Sequence, residues 1–179
     1  MRPISFTLRS LLHSAVPTLF LITGLPGSGK TTLARQLEQQ HCAVRFTPDE
    51  WMMPLFGAGE SANRRWLLES ELFRRLAARL LGLGTNVILD YGLWAREERD
   101  LFLERGEALG ATVRLYALEL PLAELWQRID SRNQALTPDV PPISYTDLLS
   151  YWDIYQRPGT EELALYVSRE PSGQKRTEE

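Results

Sequence analysis

Residues 18–32 read Thr18-Leu-Phe-Leu-Ile-Thr-Gly24-Leu-Pro-Gly-Ser-Gly-Lys30-Thr31-Thr32. The first part is a short apolar run bounded by Pro17 and Gly24, which is typical of a strand buried on both faces of a parallel sheet. The second part matches the pattern GxxxxGK(S/T), and a helical pattern follows from Lys30 to about Gln40. A glycine-rich loop between a strand and a helix is typical of a phosphate-binding loop.

The chemistry of this loop predicts a nucleoside triphosphate ligand, which we expect to be ATP. Glycines let the loop curl so that its N–H groups point at phosphate oxygens, and the following helix adds the positive end of its dipole. Lys30 would bridge the β- and γ-phosphates, and the Thr31 hydroxyl would bind Mg²⁺. A glycine-rich turn that merely caps a helix is the structural alternative. The predicted nucleotide-binding residues are Gly24, Leu25, Pro26, Gly27, Ser28, Gly29, Lys30, Thr31 and Thr32.

Length and composition fit one compact globular domain. The chain has 179 residues, 44% of them hydrophobic, and a net charge of −3, which argues against broad nucleic-acid binding. Its single cysteine favours a reduced, cytoplasmic setting. The longest apolar run is about half of the ~20 residues that a spanning helix needs, so we expect no membrane span. Of the twenty basic residues only Lys30 and Lys175 are lysines.

Strands and helices alternate along the sequence. Apolar runs predict strands at residues 18–23, 43–46, 86–90, 112–120 and 163–167. Periodic patterns predict helices at 30–40, 62–81 and 96–109, a helix opened by Pro121, and a helix capped by Ser144. This order predicts an α/β P-loop NTPase fold: a five-stranded parallel sheet of order 2-3-1-4-5, helices on both faces and a small helical lid. We expect an extension at 1–16, a domain at 17–168 with its lid at about 126–146, and a polar tail at 169–179.

Two carboxylates follow predicted strands, at the sheet edge where ligands of such folds bind. Asp49 comes after the second strand and would orient the proton of an incoming hydroxyl. A helix N-cap role is its alternative, and Glu50 is the alternative base. Asp90 ends the third strand, where either a Mg²⁺ ligand or a turn residue before Gly92 fits.

Missing motifs narrow the class of P-loop protein. The guanine-reading motif NKxD of GTPases does not occur. Transporter and AAA-type ATPases usually place a glutamate directly after the strand aspartate, whereas Asp90 is followed by Tyr91. These features favour a phosphotransferase that delivers the γ-phosphoryl group to a bound acceptor rather than to water.

Four segments together resemble the AAA-family P-loop kinases, a group that neighbours chloramphenicol phosphotransferase, zeta toxins and polynucleotide kinase. They are the P-loop, Thr47-Pro-Asp49, the run from Val87 to Arg99, and the run from Leu125 to Asn133. The resemblance covers about residues 18–167 and implies that Asp90 holds Mg²⁺ through water. It also favours Asp49 as the base. The family commonly has an arginine three residues after this aspartate, where this chain has Met52.

Two arginines lie four residues apart on the predicted lid helix. Like charges at this spacing repel one another unless an anion lies between them. Triphosphate would be that anion, and the resemblance implies that Arg128 and Arg132 close over the nucleotide as catalytic residues. Glu124, four residues before Arg128, is an alternative partner.

Candidate acceptor contacts cluster near the two aspartates. They are Asp49, Trp51, Met52, Tyr91, Trp94 and Arg99. The aromatic and apolar members would wall a pocket for a ring-containing molecule, with core packing as their alternative. Arg99 matches a family arginine, and a surface ion pair is its alternative.

The leading hypothesis is an ATP- and Mg²⁺-dependent phosphotransferase that acts on a hydroxyl of a small antibiotic, sugar or nucleoside-like molecule. A 5′-hydroxyl polynucleotide kinase and a zeta-toxin-like nucleotide-sugar kinase are alternatives, and nucleic acid is the less favoured partner. A different class is a non-catalytic nucleotide-binding switch.

Overall fold

The computed structural model of the protein describes residues 16–57, 62–135 and 142–167. The predicted tail, the predicted extension apart from residue 16, and residues 136–141 of the predicted lid lie outside this range. The strands are β1 (Thr18–Gly24), β2 (Val44–Phe46), β3 (Val87–Gly92) and β4 (Thr112–Leu118). The helices are α1 (Lys30–His41), α2 (Pro48–Phe56), α3 (Ala62–Leu67), α4 (Arg74–Gly82), α5 (Arg96–Ala108), α6 (Leu122–Gln134), α7 (Tyr145–Ile154) and α8 (Thr160–Val167).

The sheet is parallel and has the order β2-β3-β1-β4, which confirms the predicted α/β fold and the order of its first four strands. Alternate residues of β1 point to opposite faces. Leu19 and Leu21 belong to a core that includes residues of α4 and α5, whereas Phe20 and Ile22 pack with Ala34 of α1. Helices therefore cover both faces, as predicted.

The predicted fifth strand, residues 163–167, is wrong within the described part of the chain. Those residues belong to α8, which packs beside β4. Glu161 and Glu162 lie in its first turn, where negative charge stabilises a helix N-terminus. Glu162 and Tyr166, one helical turn apart, are both buried. The apolar run was short enough to fit either element, and its burial on one helical face distinguishes the two.

The predicted long helix at 62–81 is confirmed as α3 and α4, but a π-helical turn, Leu68–Phe73, joins them. Its hydrogen bonds run to the fifth residue along, so the helix winds more loosely there than the α-helical pattern assumes. The predicted cap of α7 is also confirmed, because Ser144 and Asp147 exchange backbone–side chain hydrogen bonds.

Candidate active site

The glycine-rich loop curls tightly between β1 and α1. Gly24 has a φ of 148°, and a β-carbon there would lie 2.6 Å from the carbonyl oxygen of Leu118. Gly29, with a φ of 98°, precedes the first residue of α1 and has no side chain to cap the helix. The N–H groups of the first turn therefore remain available to an anion, which is the geometry that phosphate binding uses.

Lys30 folds back over the same loop. Its ammonium group donates a 2.9 Å hydrogen bond to the carbonyl oxygen of Leu25. Burial lowers the pKa of Lys30 to about 8, and the nearby carboxylates of Asp90 and Asp49 oppose that shift. The side chain is therefore mostly charged at neutral pH but poorly solvated, so a phosphate would supply the negative partner that water does not.

The Asp90 carboxylate links the P-loop to Thr47, the residue directly after β2. Its Oδ2 accepts hydrogen bonds from the hydroxyls of Thr31, at 2.9 Å, and Thr47, at 3.1 Å. Only 4% of Asp90 is exposed, and burial raises its pKa. Its second oxygen, Oδ1, is buried without a hydrogen-bond partner. A hard cation would satisfy that oxygen, and carboxylate and hydroxyl oxygens are ligands that Mg²⁺ accepts, so these residues fit the predicted ion.

Asp49 lies at the second position of α2, after its N-cap Thr47, so it is not the N-cap. The carboxylate is 77% exposed and forms an ion pair with Arg65 of α3. The Nε of Arg65 lies 3.0 Å from Glu69 of the π-helical turn. Burial raises the pKa of Glu69 to about 7, although Arg65 opposes the shift. Arg65 thus links two acidic groups that line one cavity.

Glu50, the alternative base, is engaged elsewhere. Its carboxylate forms ion pairs with Arg35, at 3.2 Å, and with Arg45, at 3.0 Å. These two contacts lower its pKa. Glu50 is absent from the lining of the cavity, whereas Asp49 is part of it.

The two arginines of α6 face the P-loop. Arg128 pairs with Glu124 at 2.7 Å, as the alternative predicted, and also lies 3.5 Å from the carbonyl oxygen of Gly27. Arg132 is exposed, lines the cavity and is close enough to Lys30 to lower its pKa. Both cations therefore lie beside the predicted triphosphate position.

The predicted acceptor residues divide into two groups. Tyr91 and Trp94 line the cavity, and the Trp94 indole N–H donates to the carbonyl oxygen of Gly24 at 3.1 Å. Trp51 packs edge-on against Phe73, and Met52 packs against the main core, so neither lines the cavity.

Arg99 does not fit its predicted contact with the acceptor. The side chain is completely buried and forms two hydrogen bonds to the Glu162 carboxylate, at 2.6 and 3.0 Å. It also donates to the carbonyl oxygens of Leu93 and Trp94. The cationic group is thus saturated inside the protein, because α8 supplies the carboxylate that sequence spacing did not reveal.

One cavity of about 1260 Å³ contains the P-loop, Asp49, Asp90 and the two lid arginines. It continues past β3 to α5 and the π-helical turn. Arg65, Glu69 and Ser70 line this extension, and none of them is among the site residues predicted from the sequence. Two features of the sequence could have indicated them: they lie near Asp49 in the chain, and they belong to the polar face of the predicted helix. In addition, no helix in the described ranges is long and apolar enough to span a membrane.

The fold and this loop define a P-loop nucleotide-binding α/β protein. The family model described as "AAA domain" matches residues 19–143, which is more than half of the chain. The chain belongs to this AAA domain family, which confirms the family suggested by its motifs.

Several solved structures are similar. A chain of the Pnkp1/Rnl/Hen1 RNA repair complex has a TM-score of 0.64 and 20% identity, over 87% of this chain and 47% of that one. Kti12 from Chaetomium thermophilum, solved with ADP-AlF3, has a TM-score of 0.61 and 17% identity, over 80% and 82%. A gluconokinase from Sinorhizobium meliloti 1021 has a TM-score of 0.54 and 18% identity, over 82% and 79%.

At such identities the likeness shows a shared fold. The chain spans about half the length of the RNA repair protein that it matches. The neighbours therefore support the α/β P-loop fold and leave the reaction and its substrates open.

Proposed function

We propose that the protein is an ATP-dependent phosphotransferase that moves the γ-phosphoryl group to a hydroxyl of a small molecule. One observation carries this proposal: Lys30, Thr31, Asp90 and Asp49 border a single cavity that also extends well beyond the P-loop. A protein that only bound or hydrolysed ATP would not need that extension. The space is what a second substrate requires.

The proposed reaction is an in-line displacement at the γ-phosphorus. The acceptor oxygen forms a bond to phosphorus, and the bond from phosphorus to the β–γ bridging oxygen breaks. Asp49 takes the hydroxyl proton, so the products are ADP, the phosphorylated acceptor and a protonated carboxyl group that releases its proton to water. Asp49 suits this role because it is exposed to the cavity, whereas Glu50 is paired with Arg35 and Arg45.

The remaining residues position and neutralise charge. The loop from Gly24 to Thr32 would hold the triphosphate, with Lys30 on its terminal phosphates. Mg²⁺, held by Thr31 and through water by Asp90, would neutralise phosphate charge when bound. In the predicted lid, at about 126–146, Arg128 and Arg132 would stabilise the charge that develops on the transferred group. Tyr91 and Trp94 would contact the acceptor.

Three variants test the proposal. Lys30→Ala should abolish ATP binding measured by calorimetry, because it removes the cation in the P-loop. Asp49→Asn should bind ATP within about twofold of wild type and lower turnover at least tenfold. Glu50→Gln is the matched control, since the acid one residue later points to other partners. Turnover is followed as ADP release with a panel of hydroxyl acceptors.

Two results would contradict these assignments. Retained ATP binding in Lys30→Ala would overturn the P-loop site. Full turnover in Asp49→Asn together with a loss in Glu50→Gln would move the base to Glu50. Tight ATP binding without transfer to any acceptor would favour the nucleotide-binding switch instead.

A further inference from the structure

The cavity has a part that the nucleotide does not explain. Beyond Asp90 it is lined by residues of α3, the π-helical turn, the start of α4, the end of β3 and α5. We call this part the acceptor cleft. Its lining residues are Arg65, Trp66, Glu69, Ser70, Glu71, Arg74, Tyr91, Glu98, Leu101, Phe102 and Arg105.

The π-helical turn supplies one wall of the acceptor cleft. Glu69, Ser70 and Glu71, three consecutive residues, all line it. Such turns are rare and occur frequently at functional sites.

Two buried oxygens of the acceptor cleft, Ser70 Oγ and Tyr91 Oη, lack hydrogen-bond partners, whereas Glu69 Oε1 pairs with Arg65 Nε at 3.0 Å. Asp90 Oδ1, at the nucleotide end of the same cavity, also lacks a partner. Buried polar atoms without partners destabilise a folded protein, so a ligand group that pairs with those of the cleft would bind favourably.

Glu69, Ser70 and Tyr91 all line the acceptor cleft. The Glu69 side chain is 24% exposed, and rotation about its last bond exchanges its two oxygens. Ser and Tyr hydroxyls both donate and accept, and a carboxylate only accepts. The three residues together match the hydroxyl groups of a ligand, which need both kinds of partner.

The charges of the acceptor cleft disfavour an anionic ligand. Four carboxylates, counting Asp49 at its inner end, face three arginines. Arg65 pairs with Asp49 and Glu69, and Arg74 pairs with Glu71. A phosphate or a nucleic acid backbone needs a surplus of cations, which these lining residues do not offer.

The cleft also has an apolar side. Trp66, Leu101 and Phe102 line it, and Trp66 is largely exposed. Ring and chain carbons of a ligand would pack there, as apolar surfaces do in binding sites that fix orientation with few polar groups. A cleft lined by both hydroxyl partners and apolar side chains suits a molecule with both characters.

We infer that the acceptor cleft binds an uncharged, polyhydroxylated acceptor, such as a sugar or polyol, through Glu69, Ser70 and Tyr91. This inference rests on the proposed phosphotransferase function and names the substrate class of that site. The transferred phosphoryl group goes to the acceptor hydroxyl nearest Asp49, with ADP as the other product. Sugar phosphates, nucleotides and 5′-hydroxyl oligonucleotides are poor acceptors, because their charges meet the carboxylates of the cleft.

The test compares acceptor classes with the full chain. Glucose, myo-inositol and glycerol represent neutral polyols, and glucose 6-phosphate, AMP and a 5′-hydroxyl oligonucleotide represent anions. ADP release is measured for each, and binding of each is measured by calorimetry in the presence of ADP. Neutral polyols should bind and react, with kcat/KM at least tenfold above that of the anionic members. Preference for an anionic acceptor would overturn the inference and leave the proposed function intact.

Variants then assign the residues. Glu69→Gln and Tyr91→Phe should raise the KM for the best polyol about ten- to hundredfold and leave the KM for ATP within about twofold. Glu104→Gln is the control, because Glu104 is exposed on α5 and does not line the cavity. An unchanged polyol KM in both variants would refute the cleft assignment. If no acceptor reacts, the proposed phosphotransferase function fails. The calorimetry then tests the cleft separately, and absence of polyol binding refutes its assignment as a polyol site.

Discussion

Arg99 and Glu162 provide the sharpest test of the distinction between a structural and a substrate-binding arginine. Arg99 is completely buried and Glu162 is 3% exposed, and two hydrogen bonds join them. The guanidinium group also holds the carbonyl oxygens of Leu93 and Trp94, directly after β3. Removing either partner, by Arg99→Met or Glu162→Leu, leaves an uncompensated charge in the core.

The magnitude follows from that burial. Breaking one partner of a buried pair typically destabilises a protein by about 3–5 kcal/mol, whereas replacing both by apolar groups of similar volume is often neutral. For a domain of this size each kcal/mol lowers Tm by roughly 2–4 °C, so each single variant should lose roughly 6–20 °C. The double variant Arg99→Met/Glu162→Leu should recover most of this loss.

Thermal unfolding followed by circular dichroism measures the three variants, and urea unfolding gives the free energies for the double-mutant cycle. Arg96→Met is the matched control, since Arg96 is exposed and pairs with Asp100 across solvent at 3.5 Å. We expect a change below about 1 kcal/mol there. A stable Arg99→Met protein with a raised acceptor KM would refute the structural role and restore the contact that sequence comparison implied.

Three further predictions concern packing and pH. Gly106→Ala should lower the free energy of unfolding by about 1–3 kcal/mol, because its β-carbon would lie 2.5 Å from Val113 Cγ2. Gly82→Ala is the control and should be neutral or stabilising, because a β-carbon there would have no atom within 4 Å. Urea unfolding measures both variants. Folding lowers the pKa of Lys30 from 10.5 to about 8, so between these pH values the unfolded chain binds more protons than the folded one. The free energy of unfolding of the wild type, minus that of Lys30→Met, should therefore increase as the pH rises from 8 to 10.5. Folding raises the pKa of Glu69 to about 7, so the free energy of unfolding of the wild type, minus that of Glu69→Gln, should decrease as the pH rises from 4.5 to 7. If either free-energy difference did not change with pH, the burial assigned to that side chain would be contradicted.

Local sequence patterns predicted the positions of the P-loop and of Asp90 in the fold. The loop from Gly24 to Thr32 needs glycines because close backbone contacts and positive φ values occur there, and these demands appear directly as residue types. Asp90 was expected at the end of a strand, and the parallel order of β1 and β3 brings it to Thr31. Short-range chemistry and sheet topology were sufficient for these contacts.

The acceptor half was predicted poorly because its residues meet through long-range packing. Trp51 and Met52 follow Asp49 in the chain, yet α2 turns them toward Phe73 and the core. Arg65 and Glu69 line the cavity, and a π-helical turn shifts the helical face between α3 and α4. A helix pattern with a constant period does not contain that shift.

The phosphate site is formed by segments that follow one another in the chain: a strand, a glycine-rich loop, a lysine and the N-terminus of a helix. Residue types and spacing alone therefore predict this site and the α/β class. The partners of Arg99, the pairing of Asp49 with Arg65 and the unpaired oxygens of the acceptor cleft depend on helices that are distant in sequence. The burial of these groups, and the packing of separate helices against one another, determine which charges are paired. Those are properties of the packed molecule, and they distinguish a buried ion pair from a substrate contact.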